Sequence, residues 1–123
     1  MKVAINRCYG GFDISGEAME MLLNRKGIAY EKTPSKVSFG GKESDFWKSG
    51  QVGKDDAYLS SYEFTENRAD PDLIFVIETL GEKADGFCSD IAIVEIPDDL
   101  NGNWYVAEYD GLEHIAERHR TWS

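Results

Sequence analysis

The sequence predicts an α+β fold: a mixed or antiparallel sheet with two helices on one face and a C-terminal β-hairpin. Three observations carry this expectation. A short apolar run at the start leads directly into a well-capped helical pattern. An Asp-Pro helix start is followed by the β-rich run IAIVEI, and an Asp-Gly dipeptide sits between two β-compatible runs near the end. Strand and helix signals mixed along one chain indicate a sheet covered by helices. With 123 residues, no internal repeat and no linker, residues 1–123 are expected to form one domain.

Lys2 to Cys8 (KVAINRC) alternates as a strand with a buried face. The turn YGGF follows. Ser15 is a good N-cap, Ile14 and Met19 are spaced as a hydrophobic staple, and Ala18, Met19, Leu22 and Leu23 recur at helical spacing. Arg25 and Lys26 suit the negative end of the helix dipole, and Gly27 is placed as C′. Ile28 to Thr33 reads as a second strand, ended by Pro34.

From there to Ala69 no clear period survives. A structureless loop of that length is uncommon inside a domain, and Phe39, Phe46, Trp47, Tyr58, Tyr62 and Phe64 indicate that the segment packs down, with short strands in it. Asp70 as N-cap and Pro71 at N1 begin the second helix, whose stripe is Leu73, Val76, Ile77, Leu80 and Ala84, with Gly81 or Gly86 as its end. Ile91 to Ile96 is apolar almost throughout, as expected of a central strand, and Pro97-Asp98-Asp99 stops it.

The last segment has two readings. As a hairpin, Asp110-Gly111 makes a type I′ turn and Trp104–Tyr109 pairs with Leu112–Glu117, with Val106 opposite Ile115. As a helix, Asp110 and Glu113 form a capping box, and Leu112, Ile115, Ala116 and His119 share a face. The hairpin sets Glu108 against Glu113, a small like-charge cost. It is nevertheless preferred, because the run before Asp-Gly needs a partner.

A net charge of −10 argues against duplex nucleic acid as a partner, since no block of Lys or Arg collects positive charge. No apolar stretch approaches membrane-spanning length, and the two cysteines, Cys8 and Cys88, lack CxxC spacing, so a soluble cytoplasmic protein is expected.

Two segments could carry chemistry. In NRCYGGFDIS, Gly10 and Gly11 would let backbone amides approach an anion, the following helix offers free N–H groups, Arg7 and Ser15 are nearby donors, and Tyr9 or Phe12 offers a stacking face. The segment matches neither GxGxxG nor the Walker A pattern, and a tight strand-to-helix turn explains the glycines equally well. The second segment, EHIAERHRTW, holds both histidines, Arg118 and Arg120, Glu113 and Glu117, and Trp122. On a strand, His114, Arg118, Arg120 and Trp122 share one face and Glu113, Glu117, His119 and Thr121 the other. The first face suits a phosphate and a stacked base, and the second could supply a Glu/His acid–base pair. The bland reading is a charged, aggregation-resistant edge strand.

Cys8 as a nucleophile with a C-terminal histidine is weighed against a buried inert thiol, and the latter fits its place after an apolar run better. No metal or cofactor is expected: His114 and His119 fall on opposite strand faces, and Asp55, Asp56, Glu63, Glu66, Asp70 and Asp72 lack EF-hand spacing.

The segments KVAINRCYGGFDIS, DPDLIFVIETLGEKADG and IVEIPDDL through EYDGLEHIAERHRTW resemble a family of small proteins encoded by tailed phages and prophages. The similarity covers both ends and the second helix, while SFGGKESDFWKSGQVGKDD departs from it. The resemblance is silent about a reaction and implies a phage accessory role against host defence. The resulting expectation is a protein, a homo-oligomer among the options, that sequesters a phosphate-bearing, nucleotide-type immune signal in the host cytoplasm through Arg7, Tyr9, Gly10, Gly11, Ser15, Arg118, His119, Arg120 and Trp122. Two other expectations stand beside it: a small phosphodiesterase or hydrolase using His119 with Glu113 or Glu117, and a protein-binding inhibitor of a host defence protein.

Overall fold

A computed structural model describes residues 1–9, 11–34, 44–86, 89–97, 104–109 and 112–117. In chain order the elements are β1 (Lys2–Asn6), α1 (Gly16–Arg25), β2 (Tyr30–Pro34), β3 (Ser44–Lys48), α2 (Ser61–Thr65), α3 (Pro71–Leu80), β4 (Ile91–Glu95), β5 (Trp104–Tyr109) and β6 (Leu112–Glu117), with 3₁₀ turns at Asp55–Ala57 and Gly81–Ala84. The fold is α+β. All strand pairings among the described residues are antiparallel, in three pairs: β1 with β4, β2 with β3, and β5 with β6.

The β1–β4 pair organises the core because its two faces alternate between two apolar partners. Ala4, with Ile93 opposite it, turns to the helices and belongs to the buried cluster that holds Leu22 and Leu23 of α1 and Leu73, Val76 and Ile77 of α3. Val3 and Ile5, with Val94 and Ala92 opposite them, turn the other way and pack with Ile96, Trp104 and Ile115. The central pair is thus layered between helices on one side and the β5–β6 ribbon on the other.

Local chemistry sets the helix ends. The Ser15 hydroxyl accepts from the Ala18 amide at 3.1 Å, and the Asp70 carboxylate from the Asp72 amide at 3.1 Å, each satisfying a donor left over by the first helical turn. Gly27 (φ +70°) and Gly81 (φ +58°) occupy the left-handed region just after α1 and α3. The C-terminus of α1 meets the N-terminus of α3, where Lys26 pairs with Asp70 at 2.7 Å and Arg25 with Asp72 at 3.3 Å. Basic and acidic side chains thereby complement the dipole ends to which they belong.

The ribbon has the register expected of the hairpin reading: Val106 faces Ile115 and Glu108 faces Glu113. Asp110 and Gly111 lie outside the described residues. Other expectations shift. Strand β1 ends at Asn6, because the Asn6 side chain turns the chain by donating to the Cys8 carbonyl at 2.7 Å and accepting from the Cys8 amide at 3.2 Å. The central strand is β1, buried from Val3 to Asn6, whereas β4 is half-buried for most of its length. In the irregular middle, Phe46 of β3 is buried and meets Tyr30 edge-on, but the same stretch also forms the short helix α2.

Candidate functional site

The β1 edge facing away from β4 is closed in an unusual way. In an antiparallel strand alternate amides point to opposite sides, and the Ala4 and Asn6 amides point away from β4. A second strand would ordinarily accept their hydrogen bonds. Instead the Arg68 carbonyl accepts from Ala4 at 2.8 Å, and a side-chain oxygen of Glu113 accepts from Asn6 at 2.8 Å.

Glu113 is buried, with 6% of its surface exposed. A carboxylate there needs a cation and filled lone pairs. Arg68 supplies both: Nη1 donates to Oε1 at 2.6 Å and Nη2 to Oε2 at 3.0 Å, the parallel fork that matches a carboxylate. Its Nε donates to the Thr65 carbonyl at 3.0 Å, and its guanidinium lies 3.8 Å from the Phe12 ring centroid. Four segments therefore meet at one ion pair: the end of β1, the turn after it, the α2–α3 connection and β6.

Asn6 extends this junction. Its side chain holds Cys8, as above, and its Oδ1 also accepts from the Asp90 amide at 2.9 Å. The Arg7 amide donates to the Asp90 carbonyl at 2.8 Å. The turn is thus anchored at its base while its side chains reach solvent: Arg7, Cys8 and Tyr9 are exposed, Tyr9 by 62%. Cys8 is a free thiol, contrary to the buried position expected for it, because β1 stops two residues before it.

The expected site residues divide into three groups. Arg7 and Tyr9 sit together on the exposed turn. Gly11 has φ +93° with open space where a Cβ would stand, so the bend itself requires glycine and no close ligand approach is needed to explain it. Ser15 is committed to structure: besides capping α1, its hydroxyl donates to the Lys83 carbonyl at 2.5 Å, and its amide donates to Ala84. Gly10, Arg118, His119, Arg120 and Trp122 lie outside the described residues, as does Cys88, and of Glu117 only the backbone is described.

The course of β6 bears on whether the two ends of the chain meet. Glu113 lies at Asn6 while Ile115 packs with Val3 and Ile5, so β6 runs back along β1. At roughly 3.3 Å per residue, Glu117 is about 13 Å beyond Glu113, leading away from the Arg7–Gly11 turn. The Glu113 end of the ribbon is the part that adjoins the turn. His114 is exposed on the opposite ribbon face.

No motif marks Arg68, yet the sequence carries a signal for it. A glutamate directly opposite another glutamate, on the ribbon face that also carries Ile115, requires a cation from elsewhere in the chain. Among the described residues no group of three or more His, Cys, Asp or Glu side chains could hold a metal ion. No described helix is long and apolar enough to cross a membrane. No family model matches the chain, and no curated protein or solved structure shows significant similarity to it.

Proposed function

We propose that the protein is a binding protein rather than an enzyme, a phage-type accessory protein that captures a phosphate-bearing, nucleotide-type molecule at the turn following β1. The observation that carries this reading is the pairing of an exposed guanidinium, Arg7, with an exposed ring, Tyr9, on a turn whose base is fixed by Asn6. A fixed base lowers the ordering cost of binding, the arginine supplies charge-assisted hydrogen bonds to phosphate, and the ring supplies a stacking face. The host cytoplasm would be the place of action.

The enzymatic alternative, with His119 and Glu113 as an acid–base pair, draws no support from Glu113. Both of its oxygens are engaged, by Arg68 and by the Asn6 amide. The inhibitor alternative is favoured by Tyr62, 74% exposed on α2 of a strongly acidic chain, the kind of aromatic side chain that anchors protein interfaces.

The test is calorimetric titration with cyclic dinucleotides and cyclic ADP-ribose isomers, followed by heating and analysis of the released ligand. Saturable binding, intact recovery and loss of binding in Arg7→Ala and Tyr9→Ala are expected. Chemical conversion of the ligand would overturn the non-enzymatic reading, and unchanged binding in both variants would overturn the placement at the turn.

A further inference from the structure

We propose that Arg68, the Asn6 amide and Phe12 form an oxyanion receptor that the chain fills with its own Glu113 carboxylate, and that this receptor is the anionic subsite of the ligand turn. The second half rests on the binding reading above; the first half does not.

Three N–H donors converge on one carboxylate, at 2.6, 3.0 and 2.8 Å, and an aromatic face backs the guanidinium. Such an arrangement, an arginine fork plus a backbone amide, is how proteins hold carboxylates and phosphates that come from outside. Among the described residues the other ion-paired cations, the N-terminus, Lys2, Arg25, Lys26 and Lys32, meet carboxylates at more exposed positions, whereas Glu113 keeps only 3% of its side chain exposed.

The plug also sits where it can be withdrawn. Glu113 is the second residue of β6, at the ribbon end nearest the turn, while Trp104 and Ile115 hold the ribbon in the apolar cluster with Val3, Ile5 and Ile96. Lifting the near end frees the receptor without undocking the whole ribbon. Asn6 belongs both to the receptor and to the base of the turn that carries Arg7 and Tyr9, so the receptor adjoins that turn through the backbone. Glu113 then acts as a competitor in cis, and capture requires the ligand to displace it.

The experiment removes the plug and supplies the anion separately. Glu113→Ala is titrated with acetate and, in a second arm, inorganic phosphate, against chloride at equal ionic strength. Melting temperature and the ¹⁵N–¹H signals of the Asn6 amide and Arg68 Nε are followed. A saturable rise in Tm with shifts at both signals is expected, and the Tm rise and the Asn6 shift should vanish in Arg68→Met/Glu113→Ala, which has no Arg68 Nε signal to follow. Equal responses in the two variants would overturn the receptor, since phosphate also stabilises proteins by exclusion from their surface. A response to acetate alone would support a carboxylate receptor and overturn the phosphate subsite. If Glu113→Ala does not fold in chloride, refolding in acetate or phosphate that Arg68→Met/Glu113→Ala does not share supports the receptor, and failure in both anions, or equal refolding of the two variants, overturns it. Nucleotide capture by the intact protein without an anion response in Glu113→Ala keeps the turn reading and removes the receptor. An anion response without nucleotide capture does the reverse.

Discussion

Arg68→Met tests the junction most directly. The unbranched stem is kept as far as the position of Nε, but the Glu113 carboxylate then remains buried with only the Asn6 amide as a visible donor. Removing one partner of a buried ion pair costs about 3–5 kcal/mol. A chain of this length has a total stability of roughly 6–18 kcal/mol at ~0.05–0.15 kcal/mol per residue, so the loss is a large fraction of it. At about 4 °C per kcal/mol, Tm should fall by ~10–20 °C.

Burial also sets an order. The Glu113 side chain is 3% exposed and that of Arg68 18%, so stranding the carboxylate should cost more than stranding the guanidinium. Glu113→Gln should therefore destabilise less than Arg68→Met. In Arg68→Met/Glu113→Gln no charge is stranded and the glutamine carbonyl can still accept from Asn6, leaving a cost of about 1–3 kcal/mol for imperfectly paired polar groups. The lost stacking on Phe12 is common to Arg68→Met and the double variant and cancels in the cycle. Urea unfolding followed by tryptophan fluorescence should give a coupling energy of at least ~1.5 kcal/mol. A cost below about 1 kcal/mol for Arg68→Met, or additive costs, would refute the reasoning.

Gly11→Ala should lose about 1–2 kcal/mol in Tm measurements through backbone strain alone, because φ is +93° and the space for a methyl group is open. Gly86→Ala should lose ~1–3 kcal/mol by thermal melting for the opposite reason, since a Cβ there would stand 2.8 Å from the Asp13 Cβ and 2.5 Å from its Oδ2. Ser15→Ala should cost about 1 kcal/mol in urea unfolding by removing the α1 cap. Alkaline stability should decline as well. The hydrogen bond from Lys26 to Asp70 raises the Lys26 pKa above 10.5, and burial raises those of Tyr30 and Tyr58 above 10.0. Folded pKa values above the unfolded ones mean that this stabilisation is complete below pH 10.0 and is lost as pH rises through the folded values, which urea titrations on either side of that pH will read.

The elements with local causes were legible in the sequence. Ser15, Gly27, Asp70-Pro71 and Gly81 act through their own neighbours, and the structure places α1 and α3 where those residues put them. The ribbon register was also legible, because period-two pairing fixes every partner once Asp-Gly fixes one. What depended on distant partners was not. Nothing near Ile91–Glu95 tells that β1 would take the buried position, since that follows from Arg68 and Glu113 covering the far edge of β1. The alternation that continues to Cys8 suggests a longer strand, but Asn6 ends it early by a side-chain turn that competes with the ladder.

The like-charge pair in the ribbon turns out to be the most informative conflict in the chain. Taken locally, Glu108 opposite Glu113 only weakens the hairpin. Its two members have different surroundings: Glu108 is exposed, while Glu113 is buried and neutralised from the α2–α3 connection. The ribbon gains a second attachment to β1 beyond its apolar face, one that also satisfies the amide an edge strand would leave open. Such a bond is directional where apolar packing is not, so it fixes the height of the ribbon against β1. It also joins the ribbon to Phe12, the last residue of NRCYGGF. The glycine of that stretch at position 11 serves the bend; Asn6 and Phe12 at its two ends connect it to the rest of the molecule. A ligand drawn to Arg7 and Tyr9 would therefore meet a surface whose shape is set by Arg68 and Glu113, neither of which the turn contains.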